Sequence, residues 1–213
     1  SSISTINNSG IKYLPIRNHN FKYGSYRIKE SGYYKLMEDI IFHPNEENNF
    51  FPTKEQFDNG DYPKKPFHLG FFAAIVIESD DVIIDLNGFS IKQSDKFKLI
   101  QRFFNLIEVA PSPFIPNQGP GSFSSSKPYT TGIMIYNGKL INSSHNAIHG
   151  NSGRMIYFKD LSIEDFEVSG IQLNGYSEVV IENCHISNTS TDIPINSLFS
   201  NALFGRLISK DIP

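Results

Sequence analysis

The chain has 213 residues, of which 39% are hydrophobic, 13% aromatic and 19% charged, a composition that supports a packed core and argues against wholesale disorder. A formal net charge of −3 gives no basis for nucleic-acid binding, and a single cysteine excludes an internal disulfide framework and a cysteine-rich metal site. No apolar stretch approaches the ~20 residues that cross a bilayer, so a membrane span is not expected.

The first part of the chain combines an irregular start with one set of short β-rich runs. Residues 1–30 are expected to cap one end of the fold, because stacked strands leave an open end that needs a cover. Residues 32–42 predict an earlier, less regular turn of the repeat that is described below. Residues 44–70 have no such pattern and are predicted to be a long insertion.

The middle of the chain alternates regular strands with two further insertions. In residues 75–91, apolar residues spaced two apart precede and follow the corner Asn87-Gly88. Residues 92–104 form the second predicted insertion, residues 105–109 the next strand, and residues 110–131 the third insertion. Loops of this length are uncommon in a regular fold and often carry function.

Residues 132–188 repeat one pattern every 23 positions, and this repeat decides the architecture. Apolar residues recur in four columns. The columns are Ile133, Ile156 and Val179; Ile135, Phe158 and Ile181; Leu140, Ile163 and Ile186; and Ile148 and Ile171. A period of 23 with three short strands is too short for a βαβ unit and fits repeats that stack in parallel and bury their inward residues.

A polar column marks the corner between two strands of each repeat. It consists of Asn137, Asp160 and Asn183. Asn and Asp tolerate the left-handed backbone conformation that a tight corner needs. We expect these residues to form corners and their side chains to bond one another along the stack.

The segments 75–91 and 170–188 together resemble the repeat of right-handed parallel β-helix proteins of the pectin-lyase-like superfamily. This resemblance covers roughly residues 30–196. It implies an all-β, single-stranded right-handed parallel β-helix, a solenoid of about five turns in residues 31–192. Residues 193–213 lose the repeat and are expected to be a C-terminal cap or the start of a truncated continuation. The shared residues belong to the scaffold, and the superfamily holds both enzymes and noncatalytic surface proteins.

The resemblance also indicates which strand of each turn is the first one and which face of the fold would hold a ligand. It implies that carbohydrate lies along the outer face of the stacked first strands. By alternation, two outward columns face that side. They are Val76, Glu108, His149 and Gln172, and beside them Glu78, Ala110, Asn151 and Asn174. The three insertions are expected to wall this face, with aromatic rings suited either to stacking on sugars or to packing on one another.

Glu108, His149 and Glu78 are the candidate catalytic residues on this face. Glu108 and His149 are expected to be adjacent and could act as general acid and base, or as acid and orienting group. An exposed polar pair without catalytic function is the alternative. Gln172, Asn151 and Asn174 are the candidate substrate-binding residues. The segment His145–Gly150 is similar to an element of pectin-degrading hydrolases, but the paired aspartates of that family are missing, so its mechanism is not carried over.

No metal site is predicted, although calcium bound by Asp80, Asp81 and Asp85 is kept as an alternative to their being turn and solvated residues. Two functions of different classes remain open. One is a polysaccharide-degrading or -modifying enzyme, similar to a glycoside hydrolase or a polysaccharide lyase. The other is a noncatalytic cell-surface, virion or structural domain that binds glycan or a protein partner and can form a homo-oligomer. Both favour an extracellular, cell-surface or virion location.

Overall fold

Residues 12–62, 72–109 and 129–189, with the backbone of residues 5–6, are described by a computed structural model of the chain. Strands make up 57% and helices 12%, and parallel strands form a curled half-barrel. The all-β prediction is thereby confirmed. The predicted cap at 193–213 and most of the insertion 110–131 lie outside the described residues.

The strands follow one another from the N-terminal part of the chain to residue 187. In chain order they are β1 Thr5–Ile6, β2 Lys12–Ile16, β3 Tyr26–Ile28, β4 Gly32–Leu36, β5 Ile40–Phe42, β6 Ala73–Ile77, β7 Val82–Asp85, β8 Ser90–Gln93, β9 Asn105–Val109, β10 Thr130–Ser143, β11 Asn146–Phe166, β12 Ser169–Glu182 and β13 His185–Ser187. Within the described ranges two short α-helices interrupt them, α1 Lys54–Asp58 and α2 Asp95–Ile100. The three longest strands, β10, β11 and β12, run through corners that contain a left-handed residue.

Three columns of parallel strands carry the repeat. The first column joins β3, β6, β9 and the beginnings of β11 and β12. The second joins β2, β4 and β7 to the middle of β10 and then to β11 and β12. The third joins β5, β8, the end of β10, the end of β11 and β13.

The register of these columns is the one that the 23-residue period predicts. Ile133 pairs with Ile156, and Ile156 pairs with Val179. The columns that contain Ile135, Leu140 and Ile148 pair in the same way. Residues 23 positions apart in this region are therefore neighbours in adjacent strands, and the assignment of inward and outward faces rests on observed pairs.

The inward columns form the hydrophobic core. Ile148, Phe158 and Ile163 are completely buried, and each contributes about 1.5–3 kcal/mol by leaving water. The last repeat differs, since Val179 and Ile186 continue the same columns but are about two-fifths exposed. The core is thus closed in the middle of the stack and open beyond β12 and β13 among the described residues.

The predicted corners adopt the left-handed conformation. Asn87, Asn137, Asp160 and Asn183 all have φ between 50° and 61°. The Asn183 side-chain amide donates to Asp160 Oδ1 (2.5 Å), whereas that of Asn137 donates to Asp85 Oδ1 (3.0 Å). The corner side chains therefore bond each other at the last two corners, Asp160 and Asn183. The side chain of Asn137 instead bonds Asp85 of the preceding strand.

The parallel stack begins earlier in the chain than the sequence pattern predicts. Leu14 of β2 pairs with Tyr34, and Tyr26 of β3 pairs with Ile75. Much of the segment 1–30 therefore belongs to the second and first strand columns and is not only a cap. For β3 the period is hidden because the insertion between β5 and β6 separates Tyr26 from Ile75 by 49 residues. For β2 it is hidden because Leu14 and Tyr34 are 20 residues apart instead of 23. Among the described helices, none has both the length and the apolar character that crossing a bilayer requires.

Candidate functional site

Successive first strands place the predicted outward residues in one line. Val76 pairs with Glu108, Glu108 with His149, and His149 with Gln172. Adjacent members of such a line are ~4.8 Å apart along the stack. The column that the sequence predicts is therefore present, and it changes from apolar to polar between β6 and β9.

Glu108 and His149 form a hydrogen-bonded carboxylate–imidazole pair at the centre of this column. His149 Nδ1 lies 2.8 Å from Glu108 Oε2 and 3.0 Å from Oε1. When the carboxylate is ionised it only accepts, and Nδ1 then carries the shared proton. The relative exposure is 1% for Glu108 and 5% for His149. Both side chains are therefore buried rather than exposed, because neighbouring groups cover them, and this burial alone does not separate a catalytic pair from a structural one.

Asn105 completes the surroundings of the carboxylate and is a residue that sequence analysis missed. Its side-chain amide donates to Glu108 Oε2 (2.8 Å) from the first position of the same strand, β9. Burial raises the pKa of Glu108, while His149 and Asn105 offset part of that effect by stabilising the charged form. A polar residue at the start of a strand that is apolar apart from Glu108 is the signal that could have identified it.

A pair of amide side chains continues the site beyond His149. The Asn174 amide donates to Asn151 Oδ1 at 3.0 Å and lies a longer 3.5 Å from His149 Nε2. Asn174 is exposed, and Asn151 and Gln172 are partly exposed. The three predicted substrate-binding residues therefore border the pair, with amide groups that can bond sugar hydroxyls.

Tyr176 lies beside the pair and was also missed by sequence analysis. Its hydroxyl is 3.2 Å from Thr130 Oγ1 and donates to the Val109 carbonyl at 3.4 Å. A Cβ on Gly150 would come within 2.9 Å of this hydroxyl, so the glycine leaves room for the ring. Burial, with a smaller contribution from the Glu108 charge, raises the pKa of Tyr176 to about 12. Gly150 and Gly153 of β11 are the sequence signal that could have identified this contact, because two positions without a side chain leave space for a large ring.

Glu78 has a different partner from the other two candidate catalytic residues. It forms two hydrogen bonds with the Arg27 guanidinium on the preceding first strand, one of them from Nη2 to Oε2 at 2.8 Å. Burial raises the pKa of Glu78, and the contacts with Arg27 and Lys29 oppose that change. The structure therefore joins Glu108, His149 and the amides by direct contacts, whereas Glu78 belongs to an ion pair at the end of β6.

Two of the predicted insertions pack against each other. Phe50 of the first contacts Phe97 of the second, with ring centroids 5.6 Å apart, and Phe57 packs on Tyr62 in the same way at 5.9 Å. These rings pack on one another and on the core. Of the other aromatic residues that the sequence places in the three insertions, Phe67, Phe114 and Phe123 lie outside the described residues, and Tyr129 is 44% exposed.

The second insertion is fixed next to the site by a buried ion cluster. Arg102 and Lys98 both approach Glu167, Lys98 at 3.7 Å. The Lys98 ammonium also donates to Asn142 Oδ1 at 2.7 Å. Phe103 then contacts the ring of His145 (centroids 5.6 Å apart), whose pKa is lowered by burial and by His149. The insertion and the strand that carries His149 are thereby held together.

The three aspartates considered for calcium do not form one cluster with a shared centre. Asp85 is buried, not solvated as predicted, because Tyr33 and Asn137 donate to its carboxylate and Lys35 lies 3.5 Å away. Asp80 Oδ1 accepts from the Thr131 backbone N–H at 3.0 Å. Within the described ranges, no group of three or more His, Cys, Asp or Glu side chains is arranged to hold a metal ion.

Comparison with known proteins adds no family to this picture. No protein-family model, curated protein or solved structure significantly matches the chain, and nothing in these comparisons identifies the pectin-lyase-like superfamily that the repeat resembles.

Proposed function

We propose that this chain is a right-handed parallel β-helix of the pectin-lyase-like type whose first-strand face binds and processes a glycan. Three features support the fold proposal: the 23-residue register, the three parallel strand columns and the left-handed corners. The right hand is the one that nearly all connections between parallel strands adopt.

The observation that carries the functional proposal is the buried hydrogen bond between Glu108 and His149 on the outward column. Val76 occupies the same column one repeat earlier and is completely buried, so an apolar side chain fits this face. Replacing it by a carboxylate and an imidazole costs several kcal/mol of desolvation, which pairing only partly offsets. A position that is costly for stability and rich in proton-transfer groups is typical of a functional site.

The proposal assigns the two residues different roles. Glu108 is buried and accepts from Nδ1, so it fixes the orientation and tautomer of the imidazole and acts as a positioning residue. His149 presents Nε2 toward Asn174 and the exposed amides. We assign His149 as the general acid or base for cleavage of a glycosidic linkage, by hydrolysis or by elimination, and Gln172, Asn151 and Asn174 as ligands of sugar hydroxyls.

Turnover on a panel of neutral, acidic and amino-sugar polysaccharides tests this proposal. His149→Gln should lower kcat/KM by at least about 100-fold on any active substrate, as loss of a general acid or base does. Glu108→Gln should lower kcat and shift its pH profile, and Glu108→Asp should recover part of the loss. Glu182→Gln removes an exposed carboxylate that pairs with Lys159 and serves as the matched control.

Absence of turnover and of glycan binding by the parent protein would contradict the proposal, as would unchanged turnover in both His149→Gln and Glu108→Gln. A change in thermal stability without a change in the pH profile would indicate that Glu108 has a structural role only.

The noncatalytic alternative has one specific observation in its favour. Glu108 is 1% exposed and its Oε2 atom already accepts from both His149 and Asn105, an arrangement that also serves to lock two strands together. In that case the amides alone would contact a glycan. Binding without turnover, lost in Asn174→Ala but retained in His149→Gln, would support this alternative.

A further inference from the structure

The sequence contains four Asn-Gly pairs, which are Asn59-Gly60, Asn87-Gly88, Asn137-Gly138 and Asn174-Gly175. Such a pair is chemically labile, because the backbone nitrogen of the glycine can attack the side-chain carbonyl carbon of the asparagine, and a residue without a Cβ leaves the backbone adaptable. The nitrogen has to reach the side chain, so a glycine that its neighbours hold in place reacts slowly. The contacts of the four glycines therefore indicate which asparagines react in the folded protein.

Two of the pairs are held in the middle of the strand stack. The Gly88 N–H donates to the Asn137 carbonyl at 2.7 Å. Gly138 pairs with Leu161, and a Cβ built on it would lie 2.5 Å from the Phe89 carbonyl oxygen, so its backbone is tightly packed. These contacts have to break before either nitrogen can attack, and the two pairs are therefore protected.

In the other two pairs, both residues are exposed. At the end of α1, the Gly60 N–H donates to the Phe57 carbonyl at 3.2 Å in an exposed turn, and we expect Asn59 to react. Asn174 and Gly175 belong to β12, which among the described strands pairs with β11 alone. A strand with one neighbour opens locally at a lower free-energy cost than a strand held on both sides.

Gly175 is a loosely packed position within β12. It directly follows Asn174, which pairs with Asn151, and it has a left-handed φ of 68°. A Cβ built on Gly175 would have its closest contact at 3.5 Å, with Ser152 Oγ, whereas a Cβ on Gly138 would meet atoms at 2.4 Å and 2.5 Å. The backbone at Gly175 therefore has space to turn its nitrogen toward the Asn174 side chain.

We propose that Asn174 is a site of spontaneous deamidation within the strand stack. The Gly175 nitrogen loses its proton and bonds to Asn174 Cγ, the bond from Cγ to Nδ2 breaks, and ammonia leaves with a proton. One water molecule then opens the resulting cyclic imide at either of its two carbonyl groups, which yields aspartate or isoaspartate at position 174. Water is the only co-reactant, and the step involves no oxidation or reduction.

The modification places a negative charge beside the Glu108–His149 pair. The Asn174 amide donates to Asn151 Oδ1 at 3.0 Å and lies 3.5 Å from His149 Nε2. A carboxylate cannot donate to Asn151 Oδ1, and the imidazole would lie between two carboxyl groups, because Glu108 contacts its Nδ1 atom. The deamidation itself is independent of the proposed function, whereas its effect on glycan binding rests on that proposal, in which Asn174 is a ligand of sugar hydroxyls.

Peptide mapping by mass spectrometry, during incubation of the folded protein at mildly alkaline pH, tests the proposal. The peptide that contains Asn174 should acquire the mass gain that accompanies the change of an amide into a carboxyl group, as two products that separate by chromatography. It should do so about twofold to tenfold faster than the peptides with Asn87 and Asn137, the ratio expected when a backbone hydrogen bond has to open first. In the protein unfolded by urea, all three peptides should convert at similar rates, which controls for the local sequence.

Asn174→Gln is the matched variant, because its longer side chain would have to close a larger and less favoured ring. It should abolish conversion at position 174 and leave the rate at Asn59 unchanged. No conversion at position 174 of the folded protein while the unfolded protein converts, or a folded-state rate no faster than those of Asn87 and Asn137, would overturn the proposal. Asn174→Asp reproduces the new charge. If this variant binds glycan as the parent does, the assignment of Asn174 as a sugar ligand fails while the deamidation proposal stands.

Discussion

Glu108 and His149 stand at the same register position in adjacent parallel strands, 41 residues apart in sequence, and share a hydrogen bond of 2.8 Å from Nδ1 to Oε2. Because the two residues are in register, their backbones are one strand spacing apart, and the two side chains can meet without being fully extended. Because Glu108 is buried and its pKa is raised, the stability of the fold and the protonation of this carboxyl are coupled.

The Glu108 carboxyl is expected to make stability depend on pH. Burial raises its pKa in the folded protein above the value in the unfolded chain, so its stabilising contribution is present at low pH and is lost as the pH rises through the folded pKa. Glu108→Gln removes this titration. Urea unfolding between about pH 4 and pH 7 should show the parent losing free energy of unfolding relative to the variant.

The opposite slope, with the parent gaining stability over Glu108→Gln as the pH rises, would mean that the bond to His149 outweighs burial. Glu182→Gln, at an exposed ion pair, should follow the parent through this pH range within the error of the measurement and is the control.

Gly153 should not tolerate a side chain. A Cβ there would lie 2.6 Å from the Thr130 carbonyl oxygen and would also overlap the Tyr176 ring. Overpacking of this kind costs about 1–3 kcal/mol, so Gly153→Ala should lower the free energy of unfolding by that amount and displace Tyr176. Ser177→Ala, on the paired and exposed side of β12, should be neutral in the same denaturation experiment. A neutral Gly153→Ala would show that Tyr176 does not pack on this strand.

Asn137 offers a test of the corner conformation with two substitutions. Its φ is 61° and its amide donates to Asp85. Asn137→Ala loses the bond and forces alanine into the left-handed region, a conformational cost of about 1–2 kcal/mol. Asn137→Gly loses the bond alone and should destabilise less. Chemical denaturation of both variants checks the order, and equal destabilisation would argue against a strained corner.

Two isoleucines in inward columns should differ in their response to truncation. Ile148 is completely buried, so Ile148→Ala should cost about 2–5 kcal/mol. Ile186 occupies the third column of the last repeat and is 42% exposed, so Ile186→Ala should cost clearly less. An equal loss would show that another surface covers this end, and sedimentation of the parent over a range of concentrations would then separate self-association from coverage within one chain.

The stacking of the strands could be predicted because similar residues recur at a constant spacing in a part of the chain that no insertion interrupts. Ile133, Ile156 and Val179 needed only the constant spacing of 23 to be recognised as neighbours, and the corner Asn137 needed only its residue type. Between β5 and β6 the spacing is broken. The strand β3 was therefore missed, although Tyr26 pairs with Ile75 in the same manner. The strand β2 was missed because Leu14 and its partner Tyr34 are 20 residues apart instead of 23.

The candidate site was only partly predictable, for a physical reason. Alternation gives the direction of a side chain and thus the line from Val76 to Gln172, but the degree of burial depends on what covers that line. The partner of Glu78 is Arg27, 51 residues earlier and across an insertion, so no local pattern reveals it. The helix α1 did have a signal, since Thr53 and Gln56 form a capping box at its start.

The 23-residue repeat gives the stack a modular length. Among the described residues, β12 and β13 pair only with β11, and Val179 and Ile186 lie partly exposed on these last two strands. Inserting one more copy of a 23-residue unit after residue 189 would add matching partners for both, and it would lengthen the body by ~4.8 Å. Duplication of a short gene segment could therefore extend this protein stepwise while Glu108 and His149 keep their present neighbours.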